Sequence, residues 1–217
     1  ETIQQKMYAK FDSDSKVWST VVRKLAEIDC IISLTRSSES LGYPMCRPEF
    51  VEESESSFID FKELRHPCFI PGGVSGTKDF IPNDVSLGVE DKNQVALLTG
   101  ANAAGKSTLL RMTCVAVIMA QIGCIIPASS AKLTTIDSIM TRLGANDNIM
   151  QGKSTFFVEL SETKRMLESA TPRSLLVLDE LGRGGSSSDG FAIAESVLHH
   201  IATHVQSLGF FATHYGT

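Results

Sequence analysis

The sequence predicts an α/β fold, a largely parallel sheet flanked by helices and preceded by a long N-terminal helix. Three observations carry that prediction. From Phe58 onward, short apolar segments of strand length alternate with helical ones, the texture of parallel strands joined by crossover helices. Leu175-Leu176-Val177-Leu178 is apolar at every position and short enough for a strand buried on both faces. In the first 36 residues, Trp18, Val21, Leu25, Ile28 and Ile32 follow one another in steps of three and four, which places them on one side of a helix.

The elements follow in order. Met7 and Phe11 extend the N-terminal stripe, and Asp14 breaks it. A helix packed on the domain and a coiled-coil arm both fit so narrow a stripe. Residues 37–57 are rich in Ser, Glu and Pro, show little periodicity, and read as a partly ordered connector. Strands are expected at Phe58–Phe61, Val85–Val89, Gln94–Leu98, Leu175–Leu178 and Leu208–Ala212. Helices are expected at Thr108–Gln121, Phe156–Ala170 and Asp189–Val205. The expected domains are therefore 1–57, helix plus connector, and 58–217, the α/β core. The chain stops soon after a strand, as a fragment would.

Composition narrows the function classes. The 217 residues carry 20 Lys plus Arg against 25 Asp plus Glu, a formal charge of −5, with 42% apolar content. That balance counts against strong nucleic-acid binding by this piece alone, because such binding needs clustered cations to displace phosphate counterions. The most apolar stretch, Met112 to Ile126, is interrupted by Gln121 and Gly123 and falls short of the roughly 20 residues of a membrane span, so no membrane partner is expected. No basic, apolar, then small-residue pattern opens the sequence, and secretion is not expected. Five cysteines, an odd number with no C-x-x-C pair, read as reduced thiols rather than as a disulfide framework or a zinc site.

Gly100-Ala101-Asn102-Ala103-Ala104-Gly105-Lys106-Ser107 satisfies G-x-x-x-x-G-K-[ST], and it follows an expected strand and opens an expected helix. Small residues let backbone N–H groups wrap a phosphate, and the helix N-terminus adds its positive end. Lys106 is placed to neutralise β- and γ-phosphates, Ser107 to coordinate Mg²⁺, and Thr108 completes the phosphate-binding run. Farther on, the apolar strand delivers Asp179-Glu180 at its C-terminal end, where open α/β sheets bind ligands. Asp179 suits Mg²⁺, and Glu180 suits accepting a proton from attacking water. Together these predict an Mg²⁺-dependent nucleoside triphosphatase.

Five motifs in order carry a resemblance: T-G-A-N-A-A-G-K-S-T at 99–108, T-R-L-G-A-N-D at 141–147, G-K-S-T-F-F-V-E-L at 152–160, L-D-E-L-G-R-G-G-S-S-S-D-G at 178–190, and F-A-T-H-Y at 211–215. Over Phe58 to Thr217 the chain resembles the C-terminal ATPase domain of the MutS DNA mismatch-repair proteins. The first 57 residues resemble, more weakly, the end of that family's lever helix and its connector. The resemblance implies a P-loop NTPase with an ABC-ATPase-like sheet, cut before the family's C-terminal helix-turn-helix. It implies ATP and ADP as ligands with Mg²⁺, and composite sites at the interface with a MutS homologue 2-type ATPase subunit. It also implies mismatched double-stranded DNA bound through domains absent here, MutL-type proteins as partners, and the nucleus as location. Residue by residue, it implies that Phe80-Ile81 packs against adenine and that Asn102 lies near the γ-phosphate. Ser154 would reach the partner's nucleotide, and His214 would sense or position water beside the γ-phosphate.

Departures from the family pattern are few. Ala101 replaces the common Pro, Ala103-Ala104 replaces Met-Gly, and the turn after Glu180 reads Gly-Arg-Gly-Gly-Ser-Ser-Ser. The loop changes fall at variable positions, so phosphate binding is expected to survive. Arg183 is assigned no role. Phe157-Val158-Glu159 mimics the family's Phe-x-Glu mismatch-reading wedge, but its place in a helix after the P-loop makes it core and surface of that helix. The Leu-Ser-Gly-Gly-Gln signature of transporter and chromosome-maintenance ATPases is missing. A non-catalytic ATP-binding dimerisation module is the remaining alternative, and the intact Asp179-Glu180 pair argues against it.

Overall fold

In the computed structural model, residues 2–69, 80–89, 93–101, 104–143, 155–182 and 186–214 are described. They form two compact units, Glu1–Ser40 and Leu41–Thr217. The first unit is helical. Helix α1 (Ile3–Ser13) opens with a capping box between Thr2 and Gln5. Helix α2 (Ser15–Glu39) follows after a break at Asp14, so the one long helix expected over the first 36 residues is two helices. Phe11 and Trp18 stack across that break with ring centroids 5.8 Å apart. Trp18, Val21, Leu25, Ile28 and Ile32 are all exposed.

The second unit holds two four-stranded sheets. In the first sheet the order is β1-β5-β2-β3. It contains β1 (Glu49–Phe50), β2 (Ile59–Leu64), β3 (Asn83–Leu87) and β5 (Ser130–Leu133). Here β2 runs antiparallel to both β3 and β5, and only the β1–β5 pair is parallel. The second sheet has the order β4-β8-β7-β6 and is parallel throughout. Its strands are β4 (Val95–Leu98), β6 (Ile139–Arg142), β7 (Leu175–Asp179) and β8 (Leu208–Ala212). The expected parallel sheet is present, and a second sheet, largely antiparallel, accompanies it.

Side-chain alternation along β7 and β8 divides the core. Leu175, Val177, Leu208, Phe210 and Ala212 pack with β2, β5 and helix α3 (Lys106–Gln121). Leu176, Leu178 and Phe211 face the other way, onto Met166 of helix α4 (Thr155–Ser169) and Ala194 and Val197 of helix α5 (Ser187–His200). A strand with both faces covered can be apolar at every position, which is why the run at 175–178 reads as it does. The helix expected over Asp189–Val205 ends differently, as α5 followed by a π-turn at Ile201–Val205, closed by Gln206 at φ 56°.

Within residues 37–57, read from the sequence as a partly ordered connector, the ordered pieces can be named. Cys46 pairs with Ile126 through two backbone hydrogen bonds of 3.0 Å, and Glu49–Phe50 joins β5. The buried guanidinium of Arg65 donates to the carbonyls of Leu41, Gly42, Pro44 and Phe69. Leu41, Gly42 and Pro44 lie more than twenty residues before Arg65, and Phe69 lies four residues after it.

Candidate functional site

The site grows from the C-terminal edge of the parallel sheet. Register sets Leu98 and Asp179 each opposite Ala212. The residues just beyond, Thr99-Gly100, Glu180 and Thr213-His214, therefore emerge side by side. The Thr213 amide donates to the Leu98 carbonyl at 3.0 Å and the Glu180 amide to the Ala212 carbonyl at 2.9 Å, extending the pairing past the strands.

Between β4 and α3 the chain turns through two glycines with positive φ, Gly100 at 149° and Gly105 at 93°. Gly105 is also the N-cap of α3, a position where a side chain would strain the backbone. Inside the turn, Ala104 N–H donates to the Ala101 carbonyl at 3.3 Å. Lys106 curls back and donates through Nζ to the carbonyls of Gly100 at 2.6 Å and Ala101 at 3.1 Å. Its ammonium thus sits on the loop that the sequence assigns to phosphate. Asn102 and Ala103 lie outside the described residues.

Ser107, one residue into α3, donates its hydroxyl to Asp179 Oδ2 at 2.9 Å. A hydroxyl oxygen and a carboxylate meeting at the sheet edge form the hard oxygen donor set that suits Mg²⁺. Glu180 adopts φ 57°, uncommon for a non-glycine residue, and its Oε1 meets His214 Nε2. The two side chains are 22% and 39% exposed, so water reaches them. The sequence named Glu180 and His214 separately, and the structure brings them into contact.

An open cleft of about 620 Å³ runs beside Lys106 and Thr108 to Phe69, Phe80, Ile81 and Asn83. Phe80 stacks on Phe69 with centroids 5.0 Å apart, and His66 sits edge-on to Phe69 at 5.8 Å. Burial, and secondarily the charge of Arg111, push the His66 imidazole below its ordinary value, towards the neutral form. Ile81 is 79% exposed at the rim. The cleft offers a flat apolar wall at one end and a cationic, amide-lined loop at the other.

Three participants escaped sequence reasoning. Phe69 supplies the second ring of the wall. Gly182, at φ 91°, lies so close to α5 that a Cβ would stand 2.4 Å from the Gly190 carbonyl oxygen. Glu159 is only 5% exposed and accepts a 3.0 Å hydrogen bond from the Gly182 amide, whereas Phe157 is 58% exposed. The helix face was available as a signal, since Glu159, Thr163 and Met166 recur at i, i+4 and i+7 and are all buried. Ser154 and Arg183 lie outside the described residues. Among the described residues no three His, Cys, Asp or Glu side chains cluster as metal ligands, and no helix is long and apolar enough to cross a membrane.

The sequence profile of MutS domain V matches residues 96–217. The chain is 63% identical to the DNA mismatch repair protein MSH6 of Saccharomyces cerevisiae, in an alignment that takes in 100% of this chain and 18% of that protein. It is 42% identical to the DNA mismatch repair protein Msh6 of Homo sapiens, over 97% of this chain and 16% of the relative. It is 44% identical to the DNA mismatch repair protein MutS of Acetivibrio thermocellus, over 90% of this chain and 22% of the relative. The chain thus spans less than a quarter of the length of these relatives.

Proposed function

Because the chain belongs to the MutS family, matching its domain V over more than half its length, we propose that it is the ATP-binding and ATP-hydrolysing part of a DNA mismatch-recognition protein. In this reading it is a P-loop NTPase related to ABC-type ATPases, with 1–57 the end of the lever and connector and 58–217 the ATPase domain. One observation carries the proposal. Gly100, Ala101, Gly105, Lys106 and Ser107, the Asp179-Glu180 pair and His214 converge on one edge of a parallel sheet, beside a cleft walled by Phe80.

The residues divide the work as follows. Phe80 and Ile81 hold the adenine, the apolar end of the ligand at the apolar end of the cleft. The backbone of Gly100, Ala101, Asn102, Ala103, Ala104 and Gly105, with Thr108, cradles the phosphates of ATP or ADP. Lys106 exchanges its two loop carbonyls for β- and γ-phosphate oxygens, a gain because an ammonium–phosphate bond is charge-assisted. Ser107 and Asp179 would hold Mg²⁺, which neutralises phosphate charge when bound. Glu180 takes the proton of the attacking water, and His214, in contact with the Glu180 carboxylate, keeps that carboxylate directed and helps position the water. Asn102 stands near the γ-phosphate, and Ser154 reaches the nucleotide of a MutS homologue 2-type partner.

ATP binding and hydrolysis at that heterodimer interface then switch a DNA clamp whose gripping domains lie elsewhere in the longer protein. Mismatched duplex DNA and MutL-type proteins are its further partners, and the nucleus is its place of action. The names of the yeast and human relatives support the mismatch-repair setting.

Equilibrium binding of a fluorescent ATP analogue and single-turnover hydrolysis test the site. Lys106→Ala is expected to abolish binding. Glu180→Gln is expected to bind ATP within about threefold of wild type while hydrolysis falls by about 10²-fold or more, the usual worth of a general base. Equal ATP affinity in wild type and Lys106→Ala would overturn the assignment.

A further inference from the structure

Glu159 is a carboxylate buried on the inner stripe of α4, between residues that face the core. Burying a carboxylate costs several kcal/mol unless it finds donors, so its position there calls for an account. Its Oε1 takes the Gly182 amide at 3.0 Å. That amide lies two residues beyond Glu180, in a turn where Glu180 and Gly182 both have positive φ, 57° and 91°. Glu180 pays for such a conformation, since only glycine visits it freely, so the turn persists only where its surroundings hold it. It is held at both ends. Upstream, the Glu180 amide is bound to the Ala212 carbonyl at the end of β8, next to His214. Downstream, the Gly182 amide is bound to Glu159.

We propose that Glu159 is a positioning residue for hydrolysis: its hydrogen bond to the Gly182 amide fixes the left-handed turn that directs the Glu180 carboxylate at His214. The inference rests on the ATPase reading, with Glu180 as the general base. Glu159 itself is only 5% exposed and does not line the cleft. Its contribution is to keep the Glu180 backbone from relaxing into the ordinary extended or helical regions, either of which would swing the carboxylate away from the sheet edge. The acceptor oxygen matters here and the negative charge does not, because a neutral amide oxygen can receive the same N–H.

The test uses the full-length protein assembled with its partner subunit and two near-isosteric variants. Glu159→Met keeps the volume and removes the acceptor, and Glu159→Gln keeps the acceptor and removes the charge. Three readouts are taken: affinity for a non-hydrolysable ATP analogue, the single-turnover rate with ATP, and hydrogen–deuterium exchange of the peptide containing Gly182. Glu159→Met is expected to lower the single-turnover rate about tenfold or more, as leaving a buried N–H without its acceptor does, with analogue affinity held within about twofold. Its Gly182 peptide should exchange faster. Glu159→Gln should stay within about threefold of wild type in all three. A wild-type rate in Glu159→Met, loss of binding and turnover together, or a Glu159→Gln as slow as Glu159→Met would each overturn the proposal. Unchanged exchange at Gly182 would overturn it as well, with no reference to turnover. A wild-type assembly that neither binds nor hydrolyses ATP would instead overturn the ATPase reading itself.

Discussion

Cys114 shows how far a single side chain departs from its solution chemistry in this fold. It lies on α3, 7% exposed within the main core, and burial pushes its thiol up from 9.0 to about 11. Cys124 and Cys46 are raised in the same direction by the same cause, while Cys30 and Cys68 are exposed. Thiol titration of the folded chain near pH 8 should therefore show Cys30 and Cys68 reacting fast and Cys114 only after unfolding; fast reaction of Cys114 would contradict its burial. The linkage sign follows. Between about pH 9 and 11 the folded chain keeps a proton at Cys114 that the unfolded chain has lost, so stability falls as pH rises through that window, by about 1.4 kcal/mol per pH unit from this group. Denaturant melts of wild type and Cys114→Ala across pH 8–11 should differ in slope by that sign. The catalytic candidates were more legible than the thiols. Lys106, Ser107, Asp179 and Glu180 announce themselves by spacing alone, but the contact of His214 with Glu180 depends on two strands pairing in one register.

Among the elements, those with covered faces were readable and those that depend on a partner were not. The run in β7 carries its own signal because both faces are buried. By contrast β5, Ser-Ala-Lys-Leu, and β6, Ile-Met-Thr-Arg, are four-residue segments of mixed polarity that become strands only by pairing with β2 and β7. Helix α4 was expected in place, yet its buried stripe contains a carboxylate, which polarity alone assigns to solvent. Among the described glycines of the site, Gly182 makes the closest approach to another segment. Gly182→Ala there would place a Cβ 2.4 Å from the Gly190 carbonyl oxygen and force alanine to φ 91°. We expect a loss of at least about 2 kcal/mol, the scale of steric strain at a special backbone position. Chemical denaturation checks it, and a change below about 0.5 kcal/mol, the size of an ordinary surface substitution, would mean the two backbones separate freely.

For the whole molecule, the two compact units divide after Ser40, and in the second unit Glu49–Phe50 of the connector pairs with β5. If the proposed sites are composite, turnover depends on a second ATPase domain. The isolated chain should hydrolyse ATP slowly in single-turnover assays and accelerate when a MutS homologue 2-type domain is added; equal rates with and without it would remove the partner from the mechanism. The charge of −5 is compatible with the proposed nucleotide site, whose phosphates would be met by Lys106 and backbone amides rather than by a cluster of cations.

By itself, the sequence determined which candidate residues stand at the sheet edge. A glycine loop before a helix, a lysine and serine at fixed offsets, and carboxylates ending an apolar strand are local patterns, each needing only its neighbours in the chain. It also determined the parallel layer, since burial on both faces leaves its mark in composition. Only the tertiary structure decided the antiparallel sheet, the ordering of residues 41–57, the meeting of His214 with Glu180, and the burial of Glu159 against the Gly182 amide. Each of these depends on a hydrogen bond or contact between segments far apart in the chain, and the energy of such a bond is not written in either segment alone.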